Sequence, residues 1–262
     1  LTAQQYVNVL LVMTISIMVG IWLVPAIGKK LQSGMSNLSN RDAKWADIFQ
    51  NALFKILNET VDIKGCSRTD SGVHANMYCC NMRTENPIDC RKLVGALNAI
   101  LPRDIAALDC KEVDFDFHAR YDCKSKEYIY KIWNSPNKNP FLYNYSLHYK
   151  YPLDEKFLDA QAKAFIGTHH FDSFCAAGSS VADTERTVMN ATVEREGDMV
   201  IFRVEADGFL YNMVRIMAGT LIDISRGKIP ADSIGQIIEA RNRFAAGYTA
   251  PARGLFLNKI HY

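Results

Sequence analysis

The sequence predicts an α+β protein of two domains, each a mostly antiparallel sheet with helices on one face. Three observations carry this. Strand-like runs are joined by turns at hairpin distance rather than by helices. Helix-periodic stretches fall between groups of strands instead of alternating strictly with them, which argues against a doubly wound sheet. The same mixture recurs after the loop Asn134–Pro140, which holds two prolines. Composition permits the fold: 262 residues with 48% hydrophobic and 22% charged side chains suffice for one large or two compact domains. That balance excludes disordered, collagen-like and low-complexity classes over most of the length. The expected segments are an atypical apolar stretch at 1–40, an N-terminal α+β domain at 41–118 and a C-terminal α+β domain at 119–262. No short-period repeat is visible.

The elements follow in order. Asp42 can cap a helix to about Asn58, along which Ala43, Ala46, Ile48, Phe49, Ala52, Leu53 and Ile56 recur at helical spacing. Val61–Ser67 and Val73–Met82 read as strands on either side of a turn at Ser71-Gly72. Asp89 caps a helix through Ile100, and Pro102 stops it. Ile105–Val113 and Tyr128–Trp133 are strands; in the latter Tyr128, Tyr130 and Ile132 share one face. Asp154–Phe165 is a helix. Thr187–Glu194 and Met199–Ala206 pair around Gly197-Asp198. Phe209–Ile224 and Asp232–Phe244 are helices, and Leu255–Ile260 is a closing strand.

The N-terminus departs from this pattern. No charged residue precedes Lys29, and 7–27 is almost wholly apolar. As a helix rising ~1.5 Å per residue it could span a bilayer core of about 30 Å, with Lys29 and Lys30 on the cytoplasmic side. A signal peptide fits less well, because nothing basic precedes the run. The competing reading is a buried strand and a connecting segment, favoured by the many Val and Ile residues.

Lys plus Arg number 30 and Asp plus Glu 28, so the net charge of +2 names no partner. Local excess is more informative: Arg203 to Tyr262 is richer in basic than acidic residues, and Arg241, Arg243 and Arg253 flank the segment Ala246–Pro251. The seven cysteines contain no Cys-x-x-Cys pair, so they read as free, mostly buried thiols of a reducing cytoplasm, with no zinc site. The histidines, including His74, His118, His169 and His170, lack metal-site spacing and read as structural or ligand-facing polar groups.

The densest cluster of chemically able residues is Gly65-Cys66-Ser67-Arg68-Thr69-Asp70-Ser71-Gly72-Val73-His74-Ala75. It links two strands, so Asp70 sits on a tight loop at a sheet end, where rigid neighbours commonly position catalytic groups. An ionised carboxylate there can serve as base, metal ligand or nucleophile; equally, an Asp-Ser-Gly turn uses its carboxylate to accept backbone N–H bonds. Asp70-Ser71-Gly72 also matches the aspartic-protease triplet. That chemistry needs two such carboxylates, and the chain has no second triplet, so only a homodimeric protease, membrane-anchored through 7–27, would remain.

The stretch Gly65–Ala75 resembles the signature of TruA-type tRNA pseudouridine synthases, Arg-Thr-Asp-x-Gly-Val-His-Ala. Four further blocks resemble the family in order: Phe117-His118-Ala119-Arg120 with Lys126–Tyr130, Phe165–Phe174, Gly208–Arg215 with Gly219, and Ala246–Leu255. The resemblance runs from about Gly65 to Tyr262. It implies the pseudouridine synthase fold with an RNA cleft between its two domains. It implies an isomerase that breaks the N-glycosidic bond of a tRNA uridine, turns the uracil and rejoins it through carbon, without metal or cofactor. The implied targets lie in the anticodon stem-loop, at positions 38 to 40 of the tRNA, and the implied assembly is a cytoplasmic homodimer. By the same resemblance Asp70 is the catalytic aspartate, acting at the ribose C1′ or in the loss of uracil. Tyr128 is the active-site tyrosine against the base, and Arg215 the arginine paired with the aspartate. Arg68, His74, Arg120, Arg241 and Arg253 are the expected RNA contacts. The physical need agrees, because a stacked uridine must be extruded into a pocket with an aromatic wall, a carboxylate and cations.

Two departures remain. Family members begin with a strand ending in Tyr-Asp-Gly and a nearby Gly-Trp, and neither occurs in 1–40. A divergent strand, a membrane segment or a shifted reading frame would each explain it. Reading the codons around Met13-Thr14 and Met18-Val19 one nucleotide earlier permits Tyr-Asp-x-x-Asn-Tyr-Gly-Gly. The other functional reading is a non-catalytic RNA-binding relative that kept the fold, against which the intact Asp70, Tyr128 and Arg215 speak.

Overall fold

A computed structural model describes residues 7–15, 43–86, 88–178 and 181–262. The chain forms two compact units. One holds the described residues up to Gly72 together with Met77–Asp122; the other holds Val73–Asn76 and Cys123–Tyr262. The domain change expected between 118 and 119 lies between Asp122 and Cys123.

The first unit contains β1 (Val7–Ile15), α1 (Ala43–Leu57), β2 (Lys64–Gly65), most of β3 (His74–Thr84), α2 (Cys90–Ile100) and β4 (Ile105–Val113). Its sheet runs β4-β1-β3, with β2 beside β3. β1 pairs antiparallel with β4 from Asn8↔Val113 to Ile15↔Ile105, with an irregularity between Val12 and Met13. So within the apolar N-terminal run, Val7–Ile15 is a strand. Val9, Leu11 and Met13 are all but inaccessible. Among the described residues no helix is long and apolar enough to cross a membrane. The rest of the run, the expected cap Asp42 and the site of the missing Gly-Trp lie outside the described residues.

Phe49 and Leu53 of α1 and Leu93 and Leu97 of α2 are buried, as helical spacing predicts. Asp89 caps α2, accepting from the backbone N–H of Arg91 and Lys92. Asn98 Nδ2 then donates to the Ala107 carbonyl, and its Oδ1 accepts the Ala107 N–H, both at 2.8 Å, tying α2 to β4. The strand expected at Val61–Ser67 shrinks to Lys64–Gly65, paired with Asn81 and Cys80. The chain turns away there because the Tyr78 hydroxyl passes over Gly65 to donate to the Ser67 carbonyl at 2.7 Å. A Cβ on Gly65 would lie 2.3 Å from that hydroxyl.

The second unit contains β5 (Ser125–Trp133), β6 (Leu147–His148), α3 (Glu155–Ala162), β7 (Gly167–His170), β8 (Glu185–Glu196), β9 (Met199–Ala206), α4 (Met213–Ser225), α5 (Ile234–Glu239) and β10 (Leu255–His261). The strands run β10-β5-β9-β8-β7, each pair antiparallel. Two short parallel pairings complete the sheet: His74 and Ala75 of β3 with Phe256 and Leu257, and β6 with the end of β5. The α+β class and the largely antiparallel pairing therefore hold. On β5, Tyr128, Ile129, Tyr130 and Ile132 are all buried, so the expected alternation gives way to a central strand covered on both faces.

Two helices are shorter than their periodicity predicts. Asn212, at φ 61°, starts α4 at Met213 instead of Phe209. Asp232 (φ 59°) and Arg241 (φ 44°) bracket α5, confining it to Ile234–Glu239. Gln161 braces the first of these, exchanging two 2.7 Å hydrogen bonds with the side chain and N–H of Asp232. All seven cysteines are free thiols, and burial pushes those of Cys80 and Cys110 upward, away from the reactive thiolate form.

Candidate active site

The loop between β2 and β3 carries Asp70. The Cys66 N–H donates to the Cys79 carbonyl, and the Tyr78 hydroxyl holds Ser67, so the loop leaves the sheet from a fixed stem. It closes at Gly72, whose φ of 84° an L side chain would strain. Thr69 is buried, Asp70 half-buried and Arg68 exposed.

A pocket of about 230 Å³ opens beside this loop, within the first unit. Arg68 and Thr69 line it, with Lys64 and Gly65 below, Trp45 and Tyr78 on α1 and β3, and His118, Arg120 and Tyr121 from the loop after β4. Arg68 and Arg120, two of the expected RNA contacts, thus meet at one concavity. Trp45 and Tyr78 pack edge to face at 4.7 Å, giving that pocket an aromatic floor.

The loop Asp114–Asp122 is held by a buried amide pair that motif reading passes over. Asn8 on β1 and Asn81 on β3 are 2% and 3% exposed. Asn81 Nδ2 donates to Asn8 Oδ1 and to the Phe117 carbonyl, both at 3.0 Å, while Asn81 Oδ1 accepts the Ala119 N–H at 2.8 Å. Asn8 Nδ2 faces the carbonyls of Asp114, Phe115 and Phe117 at 2.9 to 3.2 Å. The signal was available: a lone Asn inside a Val- and Leu-rich strand has to find partners when buried.

In the second unit the closing segment Ala246–Leu255 is clamped to α4. Arg215 Nε donates to the Ala250 carbonyl at 2.7 Å, the Ala250 N–H returns to the Arg215 carbonyl at 3.0 Å, and Nη1 reaches Asn212 Oδ1 at 2.6 Å. Gly219 and Gly247 allow the approach. A Cβ on Gly219 would lie 1.8 Å from the Tyr248 carbonyl oxygen, and one on Gly247 2.6 Å from the Thr220 Cα. Thr220 Oγ1 accepts the Gly247 N–H at 2.9 Å. Burial, helped by the nearby Asp223 carboxylate, pushes the Tyr248 hydroxyl up to about 12.

Tyr128, 7% exposed on β5, meets Phe209 edge to face at 4.9 Å. Its neighbour Tyr130 is fully buried and donates to the Pro251 carbonyl at 2.8 Å, a structural strut for the same segment. The remaining expected RNA contacts diverge. His74 is 1% exposed, sandwiched by Phe256 (4.7 Å) and Tyr145 (5.1 Å), with Nε2 on the Asn144 carbonyl at 2.9 Å. Desolvation lowers its pKa, opposed by the Asn144 carbonyl and assisted by Lys131. Its buried Nδ1 has no partner of ordinary hydrogen-bond geometry among the described residues, although the Arg253 backbone stands near the ring. The ring is thus placed as a neutral core group with no face left for RNA. Arg253 lies over the Tyr143 ring at 5.0 Å. Arg241 is exposed. Arg243 instead turns back to hold the Gly247 carbonyl at 2.8 Å and Thr249 Oγ1 at 3.1 Å.

The chain matches the tRNA pseudouridine synthase family over residues 28–122 and 161–262. It belongs to that family. Three relatives are each called tRNA pseudouridine synthase A. The proteins of Thermoanaerobacter sp. (strain X514) and Acetivibrio thermocellus are 44% identical over 216 residues, and that match spans 82% of this chain and 88% of theirs. The Moorella thermoacetica protein is 45% identical over 211 residues, spanning 80% of this chain and 86% of its own. Asp70 and Arg215 fall within the stretches matched to the family, and Tyr128 falls between them. The chain is therefore an isomerase of the pseudouridine-forming class.

Proposed function

We propose that this chain converts uridine to pseudouridine in the anticodon stem-loop of tRNA, at the positions the resemblance implies, with Asp70 as nucleophile. The observation that carries the reading is the signature Arg68–Ala75 on a pinned loop beside a cationic, aromatic-floored pocket. In the proposed step an Asp70 oxygen bonds C1′ as the N1–C1′ bond breaks and its electron pair departs to uracil N1. The uracil turns, C5 bonds C1′, and the ester C1′–O bond breaks, releasing the carboxylate. C5 then loses its proton and N1 ends protonated, so no oxidant, metal or cofactor enters the balance.

Arg215 supplies the positive charge that keeps the carboxylate ionised, and Tyr128 packs on the base and serves proton transfer at C5. Arg215 is suited to the task because Ala250 and Asn212 fix its guanidinium. Arg68, Arg120, Arg241 and Arg253 meet the RNA backbone. The working form is a cytoplasmic homodimer.

Because C5 must lose its hydrogen, tRNA made with tritium at uridine C5 reports the reaction directly. Incubation with the chain releases tritium to water, and the Asp70→Asn variant binds the tRNA without releasing it. A chain that releases none from any unmodified tRNA bearing uridines in that stem-loop overturns the proposal.

A further inference from the structure

We propose that the pocket beside the Asp70 loop holds one unpaired loop nucleotide of the RNA in addition to the target uridine, with Tyr121 stacking its base and Arg68 and Arg120 meeting its phosphates. This rests on the reading that the substrate is tRNA. Tyr121 is 77% exposed although it lines a concavity built from well-held neighbours. Its ring is backed by that of His118, with centroids 4.3 Å apart and planes at 41°.

The platform is rigid. The N–H groups of Tyr121 and Asp122 both donate to the His118 carbonyl at 3.1 Å. Asp122 accepts the His118 N–H at 2.7 Å, and Asn81 accepts that of Ala119. His118 Nδ1 accepts the Arg120 N–H at 3.1 Å, so in the neutral ring the proton lies on Nε2, able to donate to a base edge or a phosphate. A preorganised ring loses little entropy when a base stacks on it.

The charges favour a polyanion. Lys64, Arg68 and Arg120 line the pocket, and among the described residues no carboxylate does. Asp62 is engaged by Lys64 at 2.5 Å, and Asp122 is occupied by the loop backbone. Exposed aromatic faces with flanking cations are the chemistry of single-stranded nucleic acid, where every base offers a ring face. A duplex stem offers none, because its bases are stacked on one another and its grooves present edges and sugars. The occupant is therefore a loop nucleotide, and the pocket supplies an anchor: gripping a second base holds the stem-loop against the chain while a target uridine reaches Asp70.

The test uses the full chain and a short single-stranded oligoribonucleotide carrying 2-aminopurine, whose fluorescence is quenched by stacking. The wild-type chain quenches it. Tyr121→Ala weakens binding about tenfold and removes the quenching, within the range of one base–aromatic stack, while Tyr121→Phe keeps both. With tRNA as substrate, Tyr121→Ala raises KM about tenfold and lowers kcat less than about twofold. Unfolding midpoints equal to wild type show the exposed side chain carries no structural role. The oligonucleotide measurement needs no turnover: Tyr121-dependent quenching in a chain that forms no pseudouridine supports the pocket while removing the proposed reaction. Unchanged binding and KM in Tyr121→Ala, or equal damage from Tyr121→Phe, overturns the inference.

Discussion

Removing the Asn81 side chain tests whether β1, which lies outside the stretches matched to the family, is a working element of the fold. In Asn81→Ala the buried bonds to the Ala119 N–H and to Asn8 Oδ1 are lost, whereas the Phe117 carbonyl keeps Asn8 Nδ2 at 3.2 Å. Each buried hydrogen bond broken by removing one side costs about 1–3 kcal/mol. The expected loss of unfolding free energy is therefore roughly 2–6 kcal/mol, since water reaches neither Asn8 nor Asn81. Asn8→Ala strands less, because Asn81 Nδ2 retains Phe117, and should cost about 1–3 kcal/mol. The Asn8–Asn81 bond is broken in both single variants and counted only once in the double, which therefore falls short of additivity by about 1 kcal/mol. Urea unfolding followed by far-ultraviolet circular dichroism measures all four proteins. If Asn8→Ala lies within about 0.5 kcal/mol of wild type and the pair is additive, β1 is not seated where the register with β4 and the Asn81 contact place it.

Two further outcomes follow from the second unit. Gly219→Ala places a methyl group against the Tyr248 carbonyl, a backbone atom that cannot swing aside, so the closing segment must lift off α4; the variant should unfold earlier by more than about 3 kcal/mol, and a near-wild-type urea midpoint would contradict the clamp. His74 is held neutral, with its folded pKa below the ordinary 6.5. As pH falls below 6.5 the unfolded chain takes up a proton that the native ring, desolvated by burial and close to the Lys131 charge, refuses. Stability should therefore drop on acidification by up to about 1.4 kcal/mol per pH unit, until the native ring also protonates. A His74→Gln chain should show a shallower fall between pH 6.5 and 5, and an equally steep one would refute the assignment.

Local signals were the most legible. Asp89 and Pro102 delimit α2, and the Gly197-Asp198 turn joins β8 to β9. Periodicity overran wherever a single left-handed residue interrupts it, as at Asn212, Asp232 and Arg241. β7 is not visible in the sequence because Gly-Thr-His-His alternates no apolar residues; among the described residues it is an edge strand paired with β8. The Gly65–Ala75 signature could be seen because its residues are contiguous around one loop. Tyr121 could not, since its value comes from exposure, from the His118 ring behind it and from an Asn81 that lies far off in sequence. His74, grouped with the RNA contacts by its motif, shows the opposite limit: the motif names the residue, and only packing tells that Phe256 and Tyr145 cover it.

The central claim is that one carboxylate, that of Asp70, does the chemistry. Single-turnover formation of pseudouridine in an unmodified tRNA transcript, mapped by position and compared between wild type and Asp70→Asn at equal tRNA occupancy, tests it most directly. The account predicts product in the anticodon stem-loop for wild type and a fall of at least about a thousandfold for the variant. A variant slowed by less than about tenfold would show that the reaction does not run through this side chain.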